Sequence, residues 1–195
     1  NTVQGFNLGL ARFDSRNNGG FIDLPVGPID TNKALFNDKI DDYFTFGGTP
    51  LSESYFEIAR YYRGDSTYFG NNSYSRIQDA IVNRFPSGLV SWLHAIIPGI
   101  SHDEHTPSVP ESRIGGTGNT YSSPIDSSCQ SESVIVLFTD GEPQSDSGAN
   151  SAIQNMIQDV NFPADSGLSK SCSGDGSCAD ELAYYLANFD QSDLP

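Results

Sequence analysis

The segment VIVLFTDGEP, residues 134–143, is the feature that most constrains the fold of this chain. An uncharged run of apolar and β-branched residues is typical of a strand buried on both faces of a sheet. The strand is predicted to end at Thr139, directly before Asp140. Ligands of α/β proteins bind outside the carboxyl ends of such strands, so Asp140 is predicted to be either a turn residue or a site residue.

Strands and helices alternate in the rest of the sequence. Short apolar runs bounded by turn residues predict strands at 6–13 and 21–26. Apolar residues at helical spacing predict helices at 31–44, 75–85, 151–160 and 178–190. This alternation predicts an α/β fold with a largely parallel sheet.

A further helix is predicted from the sequence Thr-Pro-Leu, with Thr49 as its N-cap and Pro50 as its first residue. Gly64 is predicted to end this helix. The Gly-, Ser- and Asn-rich stretch that follows is interpreted as a long insertion at about 65–128, and such insertions are often functional.

The formal net charge of −15 argues against binding to nucleic acid or to anionic membranes, because both need clustered Lys and Arg. No apolar run is long enough to cross a membrane. The strand-like start and loop-like end of the chain suggest an excerpt from a longer protein. Of the three cysteines, Cys172 and Cys178 are the favoured disulfide pair on loop length, although Cys129 could displace either.

Two loops are predicted to meet at one edge of the sheet. One precedes the helix that begins after Thr49, and the other contains Asp140. A hydroxyl and a carboxylate at a common point are oxygen ligands suited to Mg²⁺ or Ca²⁺. Glu142 and Asp146 are expected to be solvated, or to hold waters around the cation, rather than to bind it.

Thr-Pro after glycines and a hydrophobic strand that ends in Thr-Asp-Gly resemble the von Willebrand factor type A domain. The resemblance implies a Rossmann-like three-layer sandwich over residues 1–195, with a metal-ion-dependent adhesion site built from three loops. Thr49 matches the second loop of that site and Asp140 the third. The Asp-x-Ser-x-Ser motif of the first loop does not occur in the sequence, so the metal site is expected to be incomplete in this excerpt.

A narrower resemblance rests on four ordered blocks: TPLSESYFEIARYYRG, YSSPIDSSCQ, VIVLFTDGEPQSD and CADELAYYLANFDQSDLP. Together they resemble the type A domain of the type IV pilus tip-associated adhesin and biogenesis proteins. The resemblance implies an extracellular, cell-surface or pilus-tip location and cation-dependent adhesion. The implied partners are pilin or minor pilin subunits and a host or surface ligand. The alternative is a structural subunit that caps the filament by packing on pilins, without metal-dependent binding.

Other features of the sequence are weaker. Tyr68 and Tyr74, in the insertion, are candidates for a partner-binding surface, because Tyr is enriched in interfaces. His102 and His105, in the sequence HDEH, are spaced for a transition metal, but the surrounding loop does not supply the geometry of such a site. The Gly-x-Ser-x-Gly motif, the phosphate-binding loop with Lys, and the usual spacing of paired acid–base carboxylates are all lacking, so the chain is not expected to be an enzyme.

Overall fold

The computed structural model describes residues 5–43, 48–78, 101–125, 133–139 and 141–189, with only the backbone described at 76–78 and 101–103. These residues form both helices and strands, which confirms the mixed α/β class. Their two sheets are small antiparallel pairs, so the predicted parallel sheet is not found in this part of the chain. No helix in these ranges is long and apolar enough to cross a membrane.

The first sheet is a hairpin of β1 (Asn7–Phe13) and β2 (Gly20–Pro28). Both strands were predicted, and the second is longer than expected because it begins at Gly20 and continues past Val26 to Pro28. The pairing register shifts between Leu8 and Leu10 and again between Leu10 and Ala11. A proline can lie inside a strand where such an irregularity removes the need for its missing N–H.

Helix α1 (Ile29–Asp41) follows β2 directly and agrees broadly with the predicted helix at 31–44. Its apolar side chains are largely exposed, with Leu35 48% and Ile40 42% accessible. Asn32 is its one buried residue, and the side-chain amide donates to the carbonyls of Leu8 and Pro25. Polar contacts with the hairpin therefore hold α1 more than an apolar face does.

Helix α2 (Leu51–Arg63) is the most buried helix of the described chain, and it contacts both strands of the hairpin. It ends, as predicted, before Gly64, whose φ of 69° is the left-handed conformation that glycine adopts without strain. The prediction that Thr49 is the N-cap is wrong. Pro50 occupies that position and no side chain of its own caps the helix.

The second sheet pairs β3 (Tyr74–Gln78) with β4 (Ser101–His105), with Tyr74 opposite His105. The helix predicted at 75–85 is therefore wrong for residues 75–78, and the remainder lies outside the described residues. Backbone bonds override the helical pattern here, because the Tyr74 carbonyl accepts from Ser15 N–H at 2.8 Å while the strand pairs with β4.

The described parts of the stretch interpreted as an insertion pack on α2. Isolated bridges join Ser66 to Thr120 and Arg113 to Tyr121, and a short 3₁₀ helix spans Pro110–Ser112. Tyr121 is fully buried, with its ring 5.5 Å from that of Tyr61 on α2. This stretch therefore contributes to the core.

Two further helices, α3 (Asn150–Ile157) and α4 (Ala179–Asn188), agree with the helices predicted at 151–160 and 178–190. Their apolar residues and those of α2 share one core cluster. Ile153, Ile157 and Leu182 are completely buried in it. Burial of each such side chain contributes about 1.5–3 kcal/mol.

Residues 134–139 do not form the predicted strand in the described structure. Val134, Val136 and Phe138 are 76%, 64% and 86% exposed, whereas Ile135 packs against the core cluster. Among the described residues, no neighbouring strand supplies hydrogen bonds to this segment. An apolar extended segment without a partner strand is a template for association between molecules.

We predict that Val136→Lys reduces self-association of the protein, because a charge on the exposed edge opposes strand pairing. Light scattering at several protein concentrations would measure the effect. The matched control is Leu35→Lys, which charges an exposed apolar position on a helix. Equal association of the wild type and Val136→Lys would show that this segment does not drive it.

Candidate functional site

The amino-terminal end of α2 is closed by a residue far away in the sequence. The carboxylate of Asp146 accepts hydrogen bonds from the backbone N–H groups of Ser52 at 2.8 Å and Glu53 at 2.9 Å, and from the Ser52 hydroxyl at 2.6 Å. The Leu51 and Ser54 N–H groups donate to the carbonyls of Thr49 and Pro50. All the N–H groups that a helix start leaves open are thereby paired, and the negative charge lies at the positive end of the helix dipole.

The two loops predicted to meet do lie against each other. The Thr49 carbonyl accepts from the Gln144 N–H at 3.0 Å, and a methyl group on Gly141 would lie 3.5 Å from Thr49 Oγ1. Thr49 is 9% exposed, and its hydroxyl makes no hydrogen bond to any residue that the structure describes. Asp140, the other predicted ligand, lies outside the described residues.

A disulfide between Cys172 and Cys178 closes a short loop that supports the same region. This is the pairing favoured on loop length, and Cys129 lies outside the described residues. From this loop, the Asp175 carboxylate accepts from the Ser145 and Asp146 N–H groups, at 3.0 and 2.9 Å. The Gly176 N–H donates to Asp146 at 3.2 Å, so the disulfide loop and α2 hold the same carboxylate.

Glu53, in the first turn of α2, is 2% exposed, so its carboxyl group is almost completely shielded from water. Its Oε1 accepts from Gly148 N–H at 2.6 Å, but Oε2 has no partner among the described residues. Burial is the largest cause that raises the pKa of this carboxyl, and the charges of Asp146 and Asp175 raise it further. The Gly148 and Gly19 N–H groups act in the opposite direction.

Glu57, one turn further along α2, binds the chain segment that follows the helix. Its carboxylate accepts from the N–H groups of Tyr68, Phe69 and Gly70 and from the Tyr121 hydroxyl, at distances of 2.6–3.2 Å. Burial raises the pKa of Glu57, and these donors lower it. Glu57 therefore has a structural role, because groups of the protein itself satisfy its buried carboxylate.

The two tyrosines proposed as partner contacts differ in their surroundings. Tyr68 is 46% exposed, and its ring meets Phe56 and Phe69 edge-on at 5.4 and 4.8 Å. Tyr74 is half-buried beneath the Arg16 guanidinium, 3.5 Å from the ring centroid. Tyr68 is therefore the more accessible of the two.

The described residues contain no group of three or more His, Cys, Asp or Glu side chains that could hold a metal ion. The HDEH sequence forms part of β4, and His105 Nε2 bonds to the Asn71 carbonyl at 2.8 Å. The Thr49 hydroxyl is an oxygen of the ligand type that Mg²⁺ and Ca²⁺ prefer. One hydroxyl is too few ligands for a cation, so a site here would need further ligands beyond the described side chains.

Sequence reasoning missed the part played by Asp146, which was expected to be solvated or to hold waters. The side chain of Asp146 is completely buried, and its carboxylate oxygens accept hydrogen bonds from the protein. Glu142 is exposed, as expected. The sequence held no local signal for this role, because Asp146 lies 94 residues from Ser52 and Thr-Pro is itself a common start of a helix.

Comparison of the chain with protein-family models, with curated proteins and with solved structures gives no match.

We predict that Asp146→Asn lowers the free energy of unfolding by about 2–3 kcal/mol, because the amide cannot replace a charged acceptor of several N–H groups. Urea denaturation would measure the loss. Asp159→Asn, at an exposed position, removes the same charge and is expected to change stability by less than about 0.5 kcal/mol. Equal effects of the two substitutions would contradict the capping assignment.

We predict that Glu53→Gln stabilises the protein at pH 7 by about 1 kcal/mol, because it removes a buried charge and keeps an acceptor for Gly148. The pKa of Glu53 in the folded protein lies above its ordinary value of 4.5. The folded state therefore binds the Glu53 proton more tightly than the unfolded state does. The contribution of this proton to the free energy of unfolding is fully present below about pH 4.5 and is lost as the pH rises through the folded-state pKa.

The gain from Glu53→Gln should accordingly shrink as the pH is lowered towards 4.5, the ordinary value for this carboxyl. Urea denaturation at a series of pH values would test this, with the exposed Glu111→Gln as the control. A gain that is independent of pH would show that the charge of Glu53 is not the cause.

Proposed function

We propose that this chain is a von Willebrand factor type A domain that binds partners through a divalent cation. Thr49 and Asp140 are two of the ligands, and Mg²⁺ or Ca²⁺ is the ion. The observation that carries the proposal is the contact between the Thr49 loop and the loop that follows Asp140. The Thr49 hydroxyl is the atom of interest, since it faces Gly141 and has no hydrogen-bond partner among the described residues.

In this proposal the function is binding and not turnover. The cation keeps one coordination position for an acidic group of the partner, as hard cations accept carboxylate oxygens readily. The acidic character of the chain favours cations and disfavours nucleic acid. Asp146 and Asp175 hold the loop next to the cation in place by backbone hydrogen bonds and are not ligands themselves.

The four ordered sequence blocks, which include the Thr-Pro-Leu and Thr-Asp-Gly motifs, support a narrower form of the proposal, an adhesin at the tip of an extracellular type IV pilus. Its partners are then pilin or minor pilin subunits and a host or surface ligand, with Tyr68 as an exposed contact. The Rossmann-like sandwich with a long insertion belongs to the same proposal. A capping subunit that packs on pilins without a cation is the alternative.

We predict that Thr49→Val and Asp140→Ala, each in the full-length protein, weaken Mg²⁺ and Ca²⁺ binding at least tenfold, because each removes one oxygen ligand. Isothermal titration calorimetry with each metal would measure the loss. Thr31→Val, at an exposed position of α1, is the matched control. Both variants should keep the melting temperature of the wild type when no cation is present.

Partner binding separates the two functions. Cation-dependent adhesion is lost in EDTA and in Asp140→Ala, whereas packing on pilins persists in EDTA, with at most a lower melting temperature. Retention of partner binding under both conditions would reject the adhesion proposal in favour of the capping subunit.

A further inference from the structure

A cleft of about 420 Å³ lies between the carboxyl-terminal half of α2 and helix α3, away from the Thr49 loop. The lining residues are Phe56, Arg60, Arg63, Asp65, Ala152, Asn155 and Met156. A cavity of this size accommodates one amino-acid residue or a small organic acid.

The cleft has a local excess of positive charge in a chain whose net charge is −15. Arg60 and Arg63 share the Asp65 carboxylate, with nitrogen–oxygen distances of 3.8 and 2.9 Å to the same oxygen. The Arg60 Nε donates to the Ser66 carbonyl at 2.5 Å. Its terminal nitrogens donate no hydrogen bond within the described ranges, so its outer edge can bind a carboxylate through two parallel bonds.

The apolar surface of the cleft comes from Ala152 and Met156, which are half-buried. The Arg60 Cζ lies 5.6 Å from the centroid of the Phe56 ring, which is itself buried. Methionine adapts its shape to different apolar groups and is common at binding surfaces that accept several partners. Asn155 is exposed at the rim, and its amide makes no hydrogen bond to the part of the chain that is described.

We propose that this cleft binds the carboxyl terminus of a partner polypeptide that ends in an apolar residue. The carboxylate pairs with Arg60, the last side chain rests on Met156 and Ala152, and the last peptide group bonds to the Asn155 amide. A terminal residue fits because its carboxylate and its side chain are attached to the same Cα, and Arg60 and Met156 line the same cleft. Asn155 offers both a donor and an acceptor, as a peptide group requires.

This site does not depend on the proposed cation, so the test is run in EDTA. The probe is a short Ser/Gly peptide that ends in Leu, with a fluorophore at its amino terminus, and binding is followed by fluorescence anisotropy. The free-carboxylate peptide is expected to bind at least tenfold more tightly than the same peptide with an amidated terminus. Arg60→Gln should abolish this difference, while the exposed charge control Lys33→Gln should retain it.

Asn155→Asp gives an independent test at an exposed position where folding is not at risk. It places a negative charge beside the bound carboxylate and should weaken binding about tenfold, whereas Asn155→Gln should retain most of the affinity. Equal affinity for the free and amidated peptides, or no binding at about 1 mM, would overturn the proposal. Binding of 4-methylpentanoate as tight as that of the peptide would also overturn it, since the peptide group would then contribute nothing.

Discussion

The hydrogen bonds to two buried carboxylates, one on α2 and one at its amino-terminal end, hold the described structure together. Glu57 accepts hydrogen bonds from N–H groups of the segment after the helix and from the hydroxyl of the buried Tyr121. Asp146 accepts hydrogen bonds from N–H groups at the start of the same helix. Buried charges are tolerated only when several donors surround them, and here backbone groups supply most of those donors. Helix α2 thus serves as the axis to which chain segments far apart in sequence are attached.

This construction also positions the candidate site. Asp146 cannot serve as a metal ligand while Ser52, Glu53 and Gly176 occupy its oxygens, but it fixes the loop that runs back towards Thr49. The disulfide loop adds a second anchor through Asp175. Two oxygens in this region lack a described partner, the buried Oε2 of Glu53 and the hydroxyl of Thr49. The Thr49 hydroxyl is the one that faces the loop after Asp140, and this position is the physical basis of the cation proposal.

The chain offers two chemically different surfaces on α2. At the amino-terminal end, oxygen atoms in an acidic protein suit a cation, which in turn attracts an acidic partner. At the carboxyl-terminal half, Arg60 suits a carboxylate directly, in a cleft that Ala152 and Met156 also line. Both would recognise a negatively charged group, but only the first requires a metal, so chelation separates them.

The sequence by itself determined four of the five predicted helices and the favoured disulfide pair, since helical spacing, the Gly64 stop and a short Cys172–Cys178 loop are local signals. It also predicted that the Thr49 loop and the loop after Asp140 meet, although at the edge of a parallel sheet that the described residues do not form. Only the tertiary structure decided that Asp146 is a buried cap, that residues 75–78 are a strand, and that residues 134–139 lack a partner strand in the described chain. The physical reason is that caps and strand pairs are satisfied by hydrogen bonds from distant residues, and no local pattern specifies these partners.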